Sequence, residues 1–273
     1  MRTFAAFAAG LLFANPIAAQ RPVYRLSAGD TLRYREITES HVELRTPQRP
    51  VTITSQHDGT VVVVRERGDT ALAWYQQLTL SSASPYGEKR PNTASALRQP
   101  FRLILKSNGA VTLVSAPTFA AEIAEQTDLS HQFDDFFISV PAAALRPAVA
   151  WSDTLVVSRS AEGDGQEHSE SRHIRRFRVL RDTVVAGAPA VVIAVDQEME
   201  IQSSSPMKNQ PVTIETRLQG KEQGFAVFAT RAGRLLARER RGHLEGQQVL
   251  RGQARDMTVP MVYDYTSSLS LLP

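Results

Sequence analysis

The sequence contains no cysteine. That excludes disulfides, thiol nucleophiles and a lipid-modified cysteine at a leader cleavage site. The core must therefore hold the chain together alone. Lysine is scarce: of 31 basic residues only four are lysine, at 89, 106, 208 and 221, and the other 27 are arginine. Neither sign of charge dominates, with a formal net charge of +3. So mild a balance leaves no electrostatic footprint for nucleic acid, which is not expected as a partner. Long hydrophobic runs are missing after residue 20. No later segment reaches the roughly 20 uncharged apolar residues a spanning helix needs, so no transmembrane helix is predicted. Also absent are the Gly-x-Ser-x-Gly elbow and the Gly-x4-Gly-Lys phosphate loop. The expectation is a protein that is not an enzyme and carries no cofactor, although a triad assembled from distant residues escapes such a search.

What is present begins with "MRTFAAFAAGLLFANPIAAQ". Arg2 precedes a short apolar run from Phe4 to Ala14, Pro16 breaks it, and small residues follow at Ala18 and Ala19. That order of charge, apolar run, breaker and small residues is the grammar of a secretory signal peptide. Residues 1–20 are read as the leader, with cleavage near Ala19 or Gln20. The protein is then exported, either periplasmic or secreted. The whole chain is 42% hydrophobic and 22% charged, which is a globular composition.

The dominant pattern is alternation. Leu32 and Tyr34 fall on one face of a strand, as do Phe177 and Val179, with Arg176 and Arg178 opposite. Period two with one apolar face predicts antiparallel sheet. Asp-Thr steps recur at Asp30, Asp69, Asp153 and Asp182, each read as the end of a turn before a strand. Two strand–Gly–strand units, "FRLILKSNGAVTLV" (101–114) and "FAVFATRAGRLLARER" (225–240), occupy like places in the two halves. The expected fold is mainly β: a large curved antiparallel sheet, open and barrel-like, made of two related halves. The first β-repeat covers 21–116 and the second 141–273, within one continuous domain 21–273. Between them, 117–140 reads as a helical connector of one or two short helices, with Pro117 in the first turn and Pro141 beyond the end.

Two β-halves with a helical connector behind a leader resemble the extracytoplasmic lipoprotein-carrier (LolA-like) family of unclosed β-barrels. The phrases "GDTLRY", "SNGAVT" and "GRLLARER" are also similar to secreted β-rich proteins of environmental bacteria. The first resemblance covers the order of elements over about 24–271. It implies an apolar cavity for acyl chains between sheet and helices, and it carries no site residue across because no motif is shared. The lack of a lipobox cysteine departs from many related envelope proteins.

Candidate sites are few. Phe119, Ile123, Phe133, Phe136 and Phe137 form apolar stripes on the connector. They are either a lid over an apolar ligand or ordinary packing of helix on sheet; any helix on a sheet must bury such a stripe. His168 and His173 are the one close histidine pair but fall on opposite faces of a strand, so no metal site is expected. The acidic, glycine-containing stretch 160–167 reads as an exposed turn. Asp134 and Asp135 read as a polar helix face, and the arginine clusters at 172–181 and 231–241 as solvated outer strand faces. The function expected is a non-enzymatic extracytoplasmic binding protein for an apolar or lipid-like molecule. The alternative is an envelope scaffold with a filled core, whose partner is another envelope protein. The sequence fixes no oligomeric state.

Overall fold

Alternating strands, once paired, build a single sheet. The computed structural model describes residues 23–273 apart from 125, 128, 130–131, 161–166, 208–210 and 253–255. The leader, His131 and most of the 160–167 stretch lie outside the described residues. In chain order the strands are β1 (Thr31–Arg45), β2 (Pro50–Arg65), β3 (Thr70–Ser84), β4 (Gly87–Lys89), β5 (Phe101–Leu105), β6 (Val111–Ser115), β7 (Ala150–Ser160), β8 (His168–Val185), β9 (Ala188–Pro206), β10 (Thr213–Ala229), β11 (Arg234–Arg251) and β12 (Met257–Leu271). They form one 12-stranded antiparallel sheet in the order β6-β5-β3-β2-β1-β12-β11-β10-β9-β8-β7, with β4 beside β3. The sheet is not closed. The halves meet where β1 pairs with β12, from Tyr34 opposite Leu271 to Leu44 opposite Met261.

The sheet curls strongly. On the inner face, the ring of Phe133 lies 4.8 Å from that of Phe101 on β5. Two residues further on, Asp135 contacts Arg175 on β8 at 2.5 Å. Two residues span at most about 7 Å of chain, yet β5 and β8 are eight steps apart in the sheet. Flat, those steps would cover about 38 Å. The curl has local causes. Register shifts at Thr60/Val61, Val179/Arg181 and Val227/Phe228 mark bulges, which bend and twist strands. On β10 and β11 a Cβ at Gly220 would sit 2.0 Å from the His243 carbonyl oxygen, and one at Gly246 would sit 1.9 Å from that of Arg217. Only glycine lets neighbouring strands fold over this closely.

The predicted faces hold: Leu32, Tyr34, Phe177 and Val179 are buried while Arg176 and Arg178 are exposed. Asp30 and Asp69 do precede strands. Asp153 and Asp182 do not, because both lie inside strands, β7 and β8. Dipeptide identity could not separate a turn from a strand interior; what holds Asp153 in place is a pairing partner described below.

The connector also differs from expectation. Among the described residues its α-helix is one turn, α1 (Ala121–Ala124), and 132–140 runs as turns and irregular chain. The reason lies in its hydrogen bonds. The carbonyls of Asp135 and Phe136 accept from Arg238, that of Ile138 from the Tyr24 hydroxyl at 3.0 Å, and that of Ser139 from Trp151 Nε1 at 3.1 Å. Side chains from elsewhere satisfy the groups that a helix would pair internally. The N–H of Val140 donates to the Asn108 carbonyl at 2.8 Å, in the β5–β6 turn. There Gly109 has φ +89°, and a Cβ would meet the Ile138 carbonyl oxygen at 2.3 Å.

Candidate functional site

Strand parity places an unusual set of charges on the inner face. Glu36 shares the parity of Tyr34 and Leu32, and Arg175 shares that of Phe177. Such positions should be apolar. Glu36, Arg175, Gln197, Glu222 and Arg238 are instead buried there. Cross-strand register sets Asp153, Arg175, Gln197 and Glu222 side by side on β7, β8, β9 and β10.

Buried charge must be paired. Arg175 binds Asp153 in a fork, Nε–Oδ1 2.6 Å and Nη2–Oδ2 2.9 Å, and reaches Asp135 with Nη1. Arg240 Nη1 donates to the other Asp135 oxygen at 2.7 Å and lies 3.5 Å from Glu222. Gln132 donates to Glu36, and Ser139 to Asp153. The connector is thus clamped to four strands, to β1 through Gln132, to β7 through Ser139, and to β8 and β11 through Asp135, the residue expected on a polar helix face. Arg175, Arg238 and Arg240 likewise correct the reading of both arginine clusters as outer surface. Burial alone would raise the Asp135 pKa, but Arg240, Arg175 and Arg238 outweigh it and hold the carboxyl below the usual range. Burial, then Arg240, pushes Arg238 down to about 10. The signal that marks these residues in the sequence is a charge at an inner-parity position.

Each apolar site candidate has a definite place. Ile123, Phe133, Phe136 and Phe137 are at most 2% exposed, and Phe119 packs half-buried against the same core. Phe136 meets Tyr34 edge-on at 5.4 Å, and Phe137 meets Tyr24 at 5.3 Å. These rings occupy the space between connector and sheet. None of the five lines a described cavity.

The largest described cavity, about 660 Å³, lies elsewhere; its lining residues are mostly of polar type but turn mainly apolar surface into it. Triplets from five neighbouring strands line it: 39–41, 54–56, 81–83, 241–243 and 264–266, with Glu88. Asp264 stands opposite both His41 on β1 and His243 on β11. His243 Nδ1 is 2.7 Å from Asp264 and Nε2 is 3.4 Å from Glu245. The hydrogen bond to Asp264 raises the His243 pKa. Tyr265 joins this cavity to the buried charges. Its ring lies over Gly242, where a Cβ would sit 2.1 Å away, and its hydroxyl donates to Glu222.

No protein-family model matches the chain, and no curated protein sequence matches it. Solved structures give weak likenesses. Neisserial surface protein A matches at 7% identity over 87% of this chain and 96% of that one, with a TM-score of 0.24. Pseudomonas aeruginosa OccK2, solved with glucuronate, matches at 8% over 90% and 100%, with a TM-score of 0.26. Vibrio cholerae OmpT matches at 10% over 92% and 100%, with a TM-score of 0.24. These are outer-membrane β-barrels, and no lipoprotein carrier is among the matches. At such TM-scores the likeness carries no argument. The outer face speaks directly instead. A lipid-facing barrel wall is an apolar band, whereas Arg33, Arg35, Arg176, Arg178, Lys221, Arg241 and Glu245 are exposed on this one. No helix among the described residues is long and apolar enough to cross a membrane.

Among the described residues no cluster of three or more metal-ligating side chains exists. His173 and His168 do not converge, since register sets His173 on the inner face beside Met199 while His168 falls on the other parity. One serine does touch a histidine: Ser171 Oγ is 3.0 Å from His173 Nε2. The amide Nε2 of Gln197 lies 2.7 Å from the other ring nitrogen. His173 therefore stands between a serine hydroxyl and a glutamine amide, and its tautomer follows the way that amide faces.

Proposed function

We propose that this is an exported, non-enzymatic binding protein whose ligand is small, carries polar groups beside apolar surface, and sits in the 660 Å³ cavity. The observation carrying this reading is a division of labour on the sheet. The apolar connector residues are spent on packing, with Phe133, Phe136 and Phe137 at most 2% exposed. The accessible concavity is lined by Ser, Thr, His, Asp, Glu and Tyr. The default ligand site is a well-formed pocket of mainly apolar surface with a few convergent polar groups. Here Asp264, His243 and Arg241, on the outer-face parity of their strands, supply charges of both signs, which suits a ligand with donors and acceptors. Export is supported by the leader pattern at 1–20. The non-enzymatic part rests on the sequence, which carries neither a Gly-x-Ser-x-Gly elbow nor a Gly-x4-Gly-Lys phosphate loop.

A lipid-like ligand under a phenylalanine lid has weaker support, because rings already fill that space. The scaffold reading gains support from the same filled core. Native mass spectrometry of the protein recovered from the envelope fraction of an expressing bacterium separates the readings. A polar adduct lost in Asp264→Asn supports the cavity. A fatty-acid or phospholipid adduct overturns it, and a chain that is always bare favours the scaffold.

A further inference from the structure

An unclosed sheet has two free edges, and they differ. β6 offers five residues, Val111–Ser115, whereas β7 offers eleven, Ala150–Ser160. Free edges are templates for further strands, and proteins blunt them with Lys, Pro, bulges or short length. β7 has none of these, and the inward-pointing charge it does carry is neutralised. Its sequence AWSDTLVVSRS has no Lys, Pro or Gly, and its pairing with β8 runs without a register shift. Its one acid, Asp153, is already matched by Arg175 at 2.6 Å. Ser152, Thr154, Val156 and Ser158 are exposed, with Val156 at 56%. Among the described residues, no backbone hydrogen bond joins 152–158 to anything but β8.

We infer that β7 is an interaction edge and that its partner is β7 of a second copy of this chain, paired antiparallel about Leu155. The argument for a second copy is self-complementarity. A two-fold axis at Leu155 sets Ser152 opposite Ser158, Asp153 opposite Val157, Thr154 opposite Val156, and Leu155 opposite itself. No charge faces a like charge, and the Thr–Val pairs suit a pleated surface. A closed two-fold pairing also consumes both long edges, so it stops at a dimer. One strand pair buries little area, so the dimer forms weakly and in proportion to concentration.

Sedimentation velocity over a concentration series tests this. The wild type should move from monomer to dimer as concentration rises. Thr154→Lys/Val156→Lys puts four lysines at the seam and should stay monomeric at every concentration, with an unchanged melting temperature. Because the chain has no cysteine, Leu155→Cys introduces a unique thiol facing its own copy, at a separation suited to a disulfide. It should give a linked dimer on mild oxidation, while Val184→Cys, exposed on β8, should not. A wild type that stays monomeric to its solubility limit overturns the proposal. So does a dimer that survives in the lysine variant, or one linked equally well through position 184. Uptake of an extended peptide by a monomer assigns the edge to another occupant and overturns the second-copy pairing.

Discussion

The two ends of the inner face bury their side chains by different means. At one end a separate segment does it: residues 133–140 bring Phe133, Phe136, Phe137, Ile138 and Val140 onto Tyr34, Phe101 and Phe177. At the other end the sheet does it alone. Met199, Leu218 and Leu244 form a second cluster with Ile201, Met261, Tyr263 and Tyr265, and no connector residue takes part. Leu244 is nonetheless fully buried. Glycines at 220, 242 and 246 allow the strands to fold over one another there, so the sheet's own side chains meet. The buried charges run along the boundary between the two regimes. The lesson is that one alternating pattern yields two kinds of core, depending on whether large connector residues or inner-face glycines supply the closure.

The largest effect is expected at the boundary. Asp135→Ala leaves Arg175 and Arg240 facing each other without their shared carboxylate, and removing one partner of a buried ion pair costs about 3–5 kcal/mol. Chemical denaturation measures this, and a loss well under that range would mean the clamp contributes little. Within the two cores the costs should be similar in size but not in consequence. Phe136→Ala should cost about 3–5 kcal/mol and Leu244→Ala about 2–5 kcal/mol. Only the first should raise amide exchange across 132–140. If Leu244→Ala does so as well, the two ends form one cooperative unit and the distinction fails.

Protonation gives a smaller effect. Burial lowers the pKa of His57 and of His173 in the folded protein. The unfolded chain therefore binds more protons once the pH falls below about 6.5, and stability drops with pH from there. Asp135 has a depressed folded pKa, so its stabilisation is complete above about pH 4 and is lost only in stronger acid. Denaturation midpoints at pH 7.5 and 5.5 should differ in the wild type and differ less in His57→Gln. Equal sensitivity in both would remove His57 from the account. The smallest effect belongs to the outer face, where Arg35 pairs with Asp58 at 2.9 Å on half-exposed side chains. Arg35→Ala should barely move the denaturation midpoint, and not at all in high salt.

Much of this was legible in the residues, and the exceptions have physical reasons. Leu32 with Tyr34, and Phe177 with Val179, announce their faces because the period of a strand is two. The hairpins at 107–109 and 230–233 announce themselves through Gly109 and Gly233. Arg175 and Glu36 were legible by parity alone, yet a run such as "RHIRRFRVLR" reads as an outer surface until each position is assigned a face. Asp135 was hidden because its partners lie 40 to 105 residues away. The short helix at 121–124 was overestimated for a related reason: Arg238, Tyr24 and Trp151 compete for carbonyls that local spacing assigns to a helix. The cavity was not legible at all, since its lining is brought together from five strands and carries no motif.

The account stands on the claim that connector rings, not a ligand, fill the space beneath 133–137. Fluorescence titration of the native protein at neutral pH with 1-N-phenylnaphthylamine, an apolar probe, tests it most directly. No saturable binding is predicted for the wild type, with binding appearing only when Phe136→Ala opens space. Stoichiometric binding to the wild type, competed by a fatty acid, would contradict it.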